Sequence, residues 1–209
     1  MTAAADLSAV VLAGGRGTRL GGIDKPGLSV GGRTLLATVI AAAREAGASR
    51  IIVVGPQRPG LRARFVREEP PGAGPFAALC RGLAELDGPG AGRQDRPGQV
   101  AVLAADLPFL RAAHLRTLLA ALAGPPARNG AVLIDDQGRP QWLTGCWPTR
   151  TLARAASEYT GFSLRGLMTP LDPAHVVIEP RRGEPPPWLD CDTGADLRRA
   201  RDWPAPAAH

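Results

Sequence analysis

Short apolar runs and amphipathic segments alternate along the chain, and this pattern predicts alternating strands and helices. Residues 7–13 and 50–54 are rich in Val, Leu and Ile, as is typical of buried strands. Between them, apolar residues recur at helical spacing over 35–43, with Thr34 as the expected N-cap and Gly47 as the expected end. A strand, a helix and a strand in this order form a right-handed parallel unit, so both strands end at the same edge of a sheet.

The alternation continues along the rest of the chain. The same criteria predict strands at 64–67, from Val100, on either side of a turn at Asp136 to Gly138, and at 174–178. They predict helices at 77–86, 111–122, 150–159 and 163–169 and in the arginine-rich segment near the end. Only the segment from Asp87 to Gln99, which is polar and rich in Gly and Pro, is expected to be a mobile surface loop. We therefore expect residues 1–209 to form one three-layer, doubly wound α/β domain with a mainly parallel sheet and a small antiparallel hairpin.

The formal net charge of +6 narrows the choice of partners. The basic residues are spread along the chain without a recognised nucleic-acid motif, so we expect small polyanions rather than nucleic acid as ligands. No apolar run approaches the length of a membrane span, and the first residues lack the pattern of a leader, so we expect neither membrane insertion nor export. The three cysteines are scattered without metal-ligand spacing, which fits reduced thiols and a cytoplasmic location.

The stretch from Val10 to Pro26 reads V-V-L-A-G-G-R-G-T-R-L-G-G-I-D-K-P and follows the first predicted strand directly. Its glycines allow consecutive N–H groups to turn inward around an anion, and Arg16, Arg19 and Lys25 add positive charge. The dinucleotide fingerprint lacks its third glycine here, and the Walker pattern lacks Ser or Thr after the lysine. About twenty residues without a helical pattern separate the first strand from the first helix, and loops of that length are usually functional. The stretch therefore predicts a phosphate-binding loop, with a flexible surface turn as the less favoured alternative.

Carboxylates at two later positions have both a functional and a structural interpretation. Asp106 follows an all-apolar strand, where a charge is costly unless a cation or hydrogen bonds meet it, although an aspartate at a turn before a helix is the alternative. For Asp135 and Asp136, a hairpin turn is favoured over a metal site because Gly138 supplies the positive φ that such a turn needs. Trp142 and Trp147 could line a pocket for a flat ring such as a pterin, but packing under the sheet is the more usual role of tryptophan.

The motif L-A-G-G-x-G-T-R-L-G-G-x-D-K resembles the signature loop of nucleotidyltransferases that hand a nucleoside monophosphate to a phosphorylated acceptor. Its ending, G-G-I-D-K, is most similar to the molybdenum cofactor guanylyltransferase family. The later segments G-P-F-A-A-L and W-L-D-C-D-T-G-A-D-L also resemble segments of that family. The resemblance implies a nucleotide-diphospho-sugar transferase-like fold and a magnesium-dependent transfer of GMP from GTP to molybdopterin.

The resemblance also implies roles for individual residues. Lys25, Arg19 and Asp106 would be catalytic. The nucleotide would be bound by Leu12, Ala13, Gly14, Gly15, Arg16, Gly17, Thr18, Lys25, Gly55, Glu69, Gly74 and Asp106. Mg²⁺ would be held by Asp106, with Asp192 and Asp190, which an extended segment places on the same side. The chain departs from the family pattern at Gly55, where the family has asparagine, at Glu69, where it usually has aspartate, and at Asp190 and Asp192, where it often has asparagines.

GTP and molybdopterin, or the molybdenum cofactor, are accordingly the expected small-molecule partners, and proteins of cofactor biosynthesis are candidate protein partners. Two other nucleotidyltransferases stay open: a cytidylyltransferase of the same cofactor and an enzyme acting on another small phosphorylated metabolite. A non-catalytic nucleotide-binding regulator is the alternative from a different class. The presence of both Lys25 and Asp106 argues against it, because loss of either would be the simplest way to disable the site.

Overall fold

The computed structural model describes residues 6–14, 24–86 and 98–203. Within these ranges the strands are β1 (Leu7–Leu12), β2 (Ser29–Val30), β3 (Arg33–Thr34), β4 (Ala48–Val54), β5 (Arg64–Val66), β6 (Gln99–Ala104), β7 (Ala131–Ile134), β8 (Pro140–Pro148) and β9 (Ala174–Val177). The α-helices are α1 (Leu35–Glu45), α2 (Pro75–Leu86), α3 (Ala112–Ala123), α4 (Thr149–Glu158), α5 (Leu164–Met168) and α6 (Gly194–Asp202). Short 3-10 turns lie at Lys25–Gly27 and Thr169–Leu171.

Seven of these strands form one sheet in the order β5-β4-β1-β6-β8-β7-β9. The strands β5, β4, β1 and β6 are parallel to one another, β8 is antiparallel to both β6 and β7, and β9 is parallel to β7. The strands β2 and β3 form a separate antiparallel pair. The prediction of a mainly parallel α/β sheet with a small antiparallel element is confirmed.

Side chains on the two faces of the sheet form two separate cores, because successive residues of a strand point to opposite faces. In β1, Ala9 and Val11 face the core under α1 and α3, whereas Val10 faces the core under α2, α4 and α5. Helix α1 has the predicted N-cap: the Thr34 side chain accepts a hydrogen bond from the Ala37 N–H at 3.2 Å. The helices therefore cover both faces and complete the expected three layers.

Backbone hydrogen bonds continue past the ends of the parallel strands and hold those ends together. Ala13 N–H donates to the Val54 carbonyl at 2.8 Å, and Gly55 N–H donates to the Val66 carbonyl at 2.8 Å. A Cβ on residue 55 would lie 2.8 Å from the Ala13 carbonyl oxygen, so glycine is required there by the close approach of the two chains. The ends of β1, β4 and β5 thus form one narrow edge, and a candidate site lies along it.

The sequence pattern predicts a loop without secondary structure from Gly14 to Arg33, and this prediction is wrong for the described residues from Lys25 onward. Residues 25–27 form the 3-10 turn, and β2 and β3 pair through a tight turn in which Gly31 and Gly32 have φ of 58° and 78°. Positive φ at two successive residues is what a two-residue hairpin turn needs, so the Gly-Gly pair was the overlooked signal. The predicted loop from Asp87 to Gln99 lies outside the described residues except for its end, where β6 begins.

None of the described helices has both the length and the apolar character that crossing a bilayer requires.

Candidate active site

A cavity of about 370 Å³ opens at the edge where β1 and β6 end. Its walls come from the strand ends, the 3-10 turn, the start of α2 and the segment before α6. The lining residues are Leu12, Ala13, Gly14, Lys25, Pro26, Glu68, Gly72, Gly74, Pro75, Ala78, Ala104, Ala105, Asp106, Leu143 and Asp192. The chain therefore brings together backbone, one ammonium group and three carboxylates from segments far apart in sequence.

The ammonium group of Lys25 lies between two carboxylates. Its Nζ forms ion pairs with Asp106 Oδ2 and with Asp192 Oδ1, and its side chain is 15% exposed. Burial pushes the pKa of Lys25 down, but Asp106 and Asp192 more than offset that effect, so the pKa of Lys25 lies above its ordinary value. The Lys25 side chain is therefore protonated and positively charged at neutral pH.

Asp106 lies just beyond β6, and its two oxygens differ in their surroundings. Oδ2 pairs with Lys25, whereas Oδ1 is buried and has no hydrogen-bond partner among the described residues. An unpaired buried carboxylate oxygen is unusual because burial without a partner costs free energy. A divalent cation is a suitable partner for such an oxygen, and Mg²⁺ is commonly held by one or two carboxylates together with substrate phosphates.

The segment before α6 is anchored by Cys191, which is fully buried and packs with Leu35 and Leu197. Asp192 lines the cavity and reaches Lys25. Asp190 is an exposed residue, but its pKa is raised to about 6. The main cause is partial desolvation of its carboxyl group, and the negative charges of Asp192 and Asp106 add to it. In the described part of the chain no three His, Cys, Asp or Glu side chains group closely enough to hold a metal ion by themselves. Asp106 thus fits magnesium in combination with a phosphate ligand, whereas the structure does not bring Asp190 to the cavity wall.

Glu68, and not the predicted Glu69, lies in the cavity. The side chain of Glu68 is buried, and its Oε1 accepts the Gly72 N–H at 2.9 Å. Glu69 is exposed and lines a separate surface depression with Arg67. The extended chain of β5 continues past its last hydrogen bond, so Glu68 shares a face with buried Val66 while Arg67 and Glu69 point outward. In the sequence this segment is polar, so no hydrophobic alternation marks Glu68 in advance.

Three predicted glycines lie around this carboxylate. A Cβ on Gly14 would lie 3.3 Å from Glu68 Oε1, which shows how closely the carboxylate approaches the end of β1. Gly74 has a φ of 101° and lines the cavity where α2 begins. Gly55 lies beside Gly14 in a shallow depression that adjoins the cavity and shares Glu68 with it. The predicted residues Gly15, Arg16, Gly17, Thr18 and Arg19 lie outside the described residues.

The hairpin interpretation of Asp135 and Asp136 agrees with the structure. The Asp135 Oδ1 accepts the N–H groups of Gln137 and Arg139 at 2.9 and 2.8 Å. Trp147 is fully buried in the core beneath the sheet and does not line the cavity.

Comparison with known proteins places the chain among nucleotidyltransferases. The family described as MobA-like NTP transferase domain matches residues 9–175. The molybdenum cofactor guanylyltransferase of Acidiphilium cryptum is 30% identical over 206 residues, which cover 93% of this chain and 93% of that protein. The bifunctional protein GlmU of Geobacter sulfurreducens is 36% identical over 127 residues, which cover 56% of this chain and 25% of GlmU. The chain spans about a quarter to a third of the length of the GlmU relatives that it matches.

A solved structure has the same fold. Molybdopterin-guanine dinucleotide biosynthesis protein A from Archaeoglobus fulgidus superimposes with a TM-score of 0.67, covering 93% of this chain and 97% of that one. The sequence identity is 18%, so this likeness concerns the fold.

Proposed function

The chain belongs to the MobA-like NTP transferase family, and from this premise we propose that it transfers GMP from GTP to the terminal phosphate of molybdopterin and releases pyrophosphate. The observation that carries the proposal is the meeting of Lys25, Asp106 and Glu68 in one cavity at the end of the parallel strands. Lys25 suits a triphosphate directly, and Asp106 suits one through a bound Mg²⁺. Glu68 suits a base that donates hydrogen bonds.

The phosphate side of the proposal rests on Lys25 and Asp106. The Lys25 ammonium is a mobile point charge that can move from the carboxylates to a phosphate oxygen. Asp106 would hold Mg²⁺, which when bound neutralises phosphate charge and polarises the phosphoryl oxygens. In the reaction, an oxygen of the acceptor phosphate forms a bond to the α-phosphorus, and the bond to the bridging oxygen breaks. Pyrophosphate leaves with the electron pair, and Lys25 stabilises the charge that develops on it.

The base side of the proposal rests on Glu68. A carboxylate accepts about four hydrogen bonds, so the one from Gly72 leaves capacity for a ligand. Guanine presents two neighbouring donors, N1–H and N2–H₂, that a carboxylate can accept together. Adenine presents an acceptor at N1, which a carboxylate repels, and cytosine presents one donor beside an acceptor. Glu68 therefore favours guanine by its charge and by the number of hydrogen bonds.

Pyrophosphate release tests the proposal directly. The purified chain is incubated with Mg²⁺ and each of the four ribonucleoside triphosphates, with and without molybdopterin. We expect release only with GTP and only when molybdopterin is present. Release with CTP would support a cytidylyltransferase of the same cofactor, release with another phosphorylated acceptor would indicate a different substrate, and binding without release would support a regulator. Each of these three results would overturn the proposal as stated.

A further inference from the structure

Asp24, the residue before Lys25, forms an ion pair with Arg58 that joins two loops distant in sequence. Both carboxylate oxygens of Asp24 pair with the two terminal nitrogens of Arg58, which lies in the loop after β4. The Arg58 side chain is 18% exposed, and its Nε is buried without a hydrogen-bond partner among the described residues. Hydrogen bonds from Arg58 hold the pKa of Asp24 below its usual value. Both oxygens of the Asp24 carboxylate are therefore bound by Arg58.

Helix capping does not account for Asp24. It occupies the N-cap position of the 3-10 turn Lys25–Gly27, where aspartate usually accepts a hydrogen bond from the backbone of that turn. Its side chain makes no such hydrogen bond and points to Arg58 instead. The turn is closed by backbone contacts, namely Gly27 N–H and Leu28 N–H to the carbonyls of Asp24 and Lys25 at 3.1 and 3.0 Å.

Gly27 leaves room for this ion pair above the turn. A Cβ on residue 27 would lie 2.9 Å from Arg58 Nη1 and closer still to Asp24 Oδ2. The ion pair thus occupies the space that any larger residue at position 27 would need. Glycine three residues after Asp24 allows the pair to lie directly over the turn that carries Lys25.

We propose that Arg58 is a positioning residue: by holding Asp24 over Gly27, it fixes the turn from which Lys25 reaches Asp106 and the nucleotide phosphates. This role rests on the proposed nucleotidyl transfer. A bidentate arginine–carboxylate pair fixes direction as well as distance, which a lysine at position 58 could not do. Displacement of a charged group by about 1 Å can lower turnover by roughly 100-fold, so a rigid support for Lys25 matters for the rate.

Turnover of matched variants tests the proposal. In Arg58→Ala and in Asp24→Asn, we expect kcat to fall by ~10- to 100-fold with KM changed by less than about threefold, because the pair supports a group that acts in the transition state. Arg58→Lys should lose less than Arg58→Ala. The double variant should lose no more than the worse single variant, as expected for two residues that act as one unit. The control is Arg62→Ala, which removes an exposed arginine from the same loop and should retain wild-type kcat.

A second measurement separates failure of this proposal from failure of the proposed function. Lys25 is the only lysine, so incorporation of ¹⁵Nζ-lysine gives a single side-chain signal. We expect that signal to shift or broaden in Arg58→Ala and Asp24→Asn, but not in Arg62→Ala, whether or not the protein turns over any nucleotide. Circular dichroism establishes that each variant is folded, and either of the two pair variants is sufficient for the comparison. An unchanged Lys25 signal in a folded Arg58→Ala or Asp24→Asn protein would overturn the proposal, and so would kcat within twofold of wild type.

Discussion

Asp106 and Asp135 each follow a buried strand at the same edge of the sheet, but the surrounding chain uses their oxygens differently. Asp135 Oδ1 accepts two backbone N–H groups of its own hairpin, and its Oδ2 accepts the Gln141 side chain at 2.9 Å. Asp106 pairs through Oδ2 with Lys25 from a distant turn, and its Oδ1 has no hydrogen-bond partner in the described chain. A carboxylate whose acceptors are filled locally builds structure, whereas one with an unfilled buried oxygen is suited to a ligand.

The same contrast extends to the two halves of the sheet. Two residues beyond the ends of β5, β1 and β6 lie Glu68, Gly14 and Asp106, all of which line the cavity. Among the described residues, the half formed by β8, β7 and β9 contributes only Leu143 to the cavity wall. The parallel half thus carries the candidate chemistry, and the other half supports it.

The largest effect is expected for the charged groups that meet at the end of the parallel half. Lys25→Ala and Asp106→Asn should each fold normally, and each should lose at least ~100-fold in turnover, because each removes electrostatic stabilisation of the transition state. Asp106→Asn should also abolish the dependence of turnover on magnesium. Asp135→Asn is the matched control and should retain turnover within about twofold, since its carboxylate serves the hairpin. Steady-state kinetics over a range of magnesium concentrations provide the measurement. Equal losses of turnover in Asp106→Asn and Asp135→Asn would contradict the distinction between the carboxylates that follow β6 and β7.

A smaller effect is expected for base recognition. Glu68→Gln removes one of two acceptors and the negative charge, so the preference for GTP over ATP should fall by ~10- to 100-fold. Glu69→Gln changes an exposed side chain outside the cavity and should leave that preference unaltered. Competition of each variant for a fluorescent guanine nucleotide measures the ratio. A loss of preference in Glu69→Gln but not in Glu68→Gln would mean that the functional carboxylate is Glu69.

The two glutamates also show how far the sequence could lead. The strands of the parallel half followed from apolar runs, Lys25 followed from the glycine-rich loop, and Asp106 followed from its position after an apolar run. The choice between Glu68 and Glu69 depended on whether the extended chain continues beyond β5, and a polar Glu-Glu-Pro-Pro segment offers no hydrophobic alternation to show it. The Asp24–Arg58 pair was inaccessible for a different reason, since nothing local relates two residues 34 positions apart.

Substitutions in the half formed by β8, β7 and β9 should change the stability of the protein and not its affinity for nucleotide. A Cβ on Gly130 would overlap the ring of Trp147, so Gly130→Ala should lower the free energy of unfolding by about 1 to 3 kcal/mol through overpacking. Gly124→Ala, in the same connection between α3 and β7, places its Cβ no closer than 3.4 Å to other atoms and should change stability far less. Urea unfolding measures both variants. Nucleotide affinity should remain within about twofold in each, since neither residue lines the cavity. A loss of affinity without a loss of stability would contradict the division between the halves.

The smallest effect concerns His114 at the start of α3. Its Nδ1 accepts a hydrogen bond from the Arg111 N–H at 3.1 Å. The pKa of His114 is lowered mainly by burial and also by the positive charge of Arg111, while the negative charge of Glu184 opposes this shift. A histidine whose pKa is lowered by folding contributes stability above its unfolded pKa of about 6.5, and that stability is lost as pH falls through the folded pKa. Urea unfolding at pH 7.5 and pH 5.0 should show a loss of about 1 kcal/mol, the scale of one hydrogen bond. His114→Gln can keep the cap without titrating and should reduce this loss, whereas exposed His175→Gln should not. Identical pH dependence in all three proteins would exclude His114 as the cause.

Calorimetric titration with GTP, CTP and ATP in the presence of Mg²⁺ tests the central claim, that the cavity at the end of the parallel strands is a guanine nucleotide site. Mispairing of buried polar groups costs about 1 to 3 kcal/mol each, so two contacts to the base should favour GTP over ATP by roughly 100-fold or more. We predict tight binding of GTP, weak binding of ATP and weaker binding of CTP than of GTP, with GTP affinity reduced in Glu68→Gln. Binding of CTP as tight as that of GTP would contradict the guanine assignment while leaving nucleotidyl transfer in place, and absence of binding by all three would contradict the site itself.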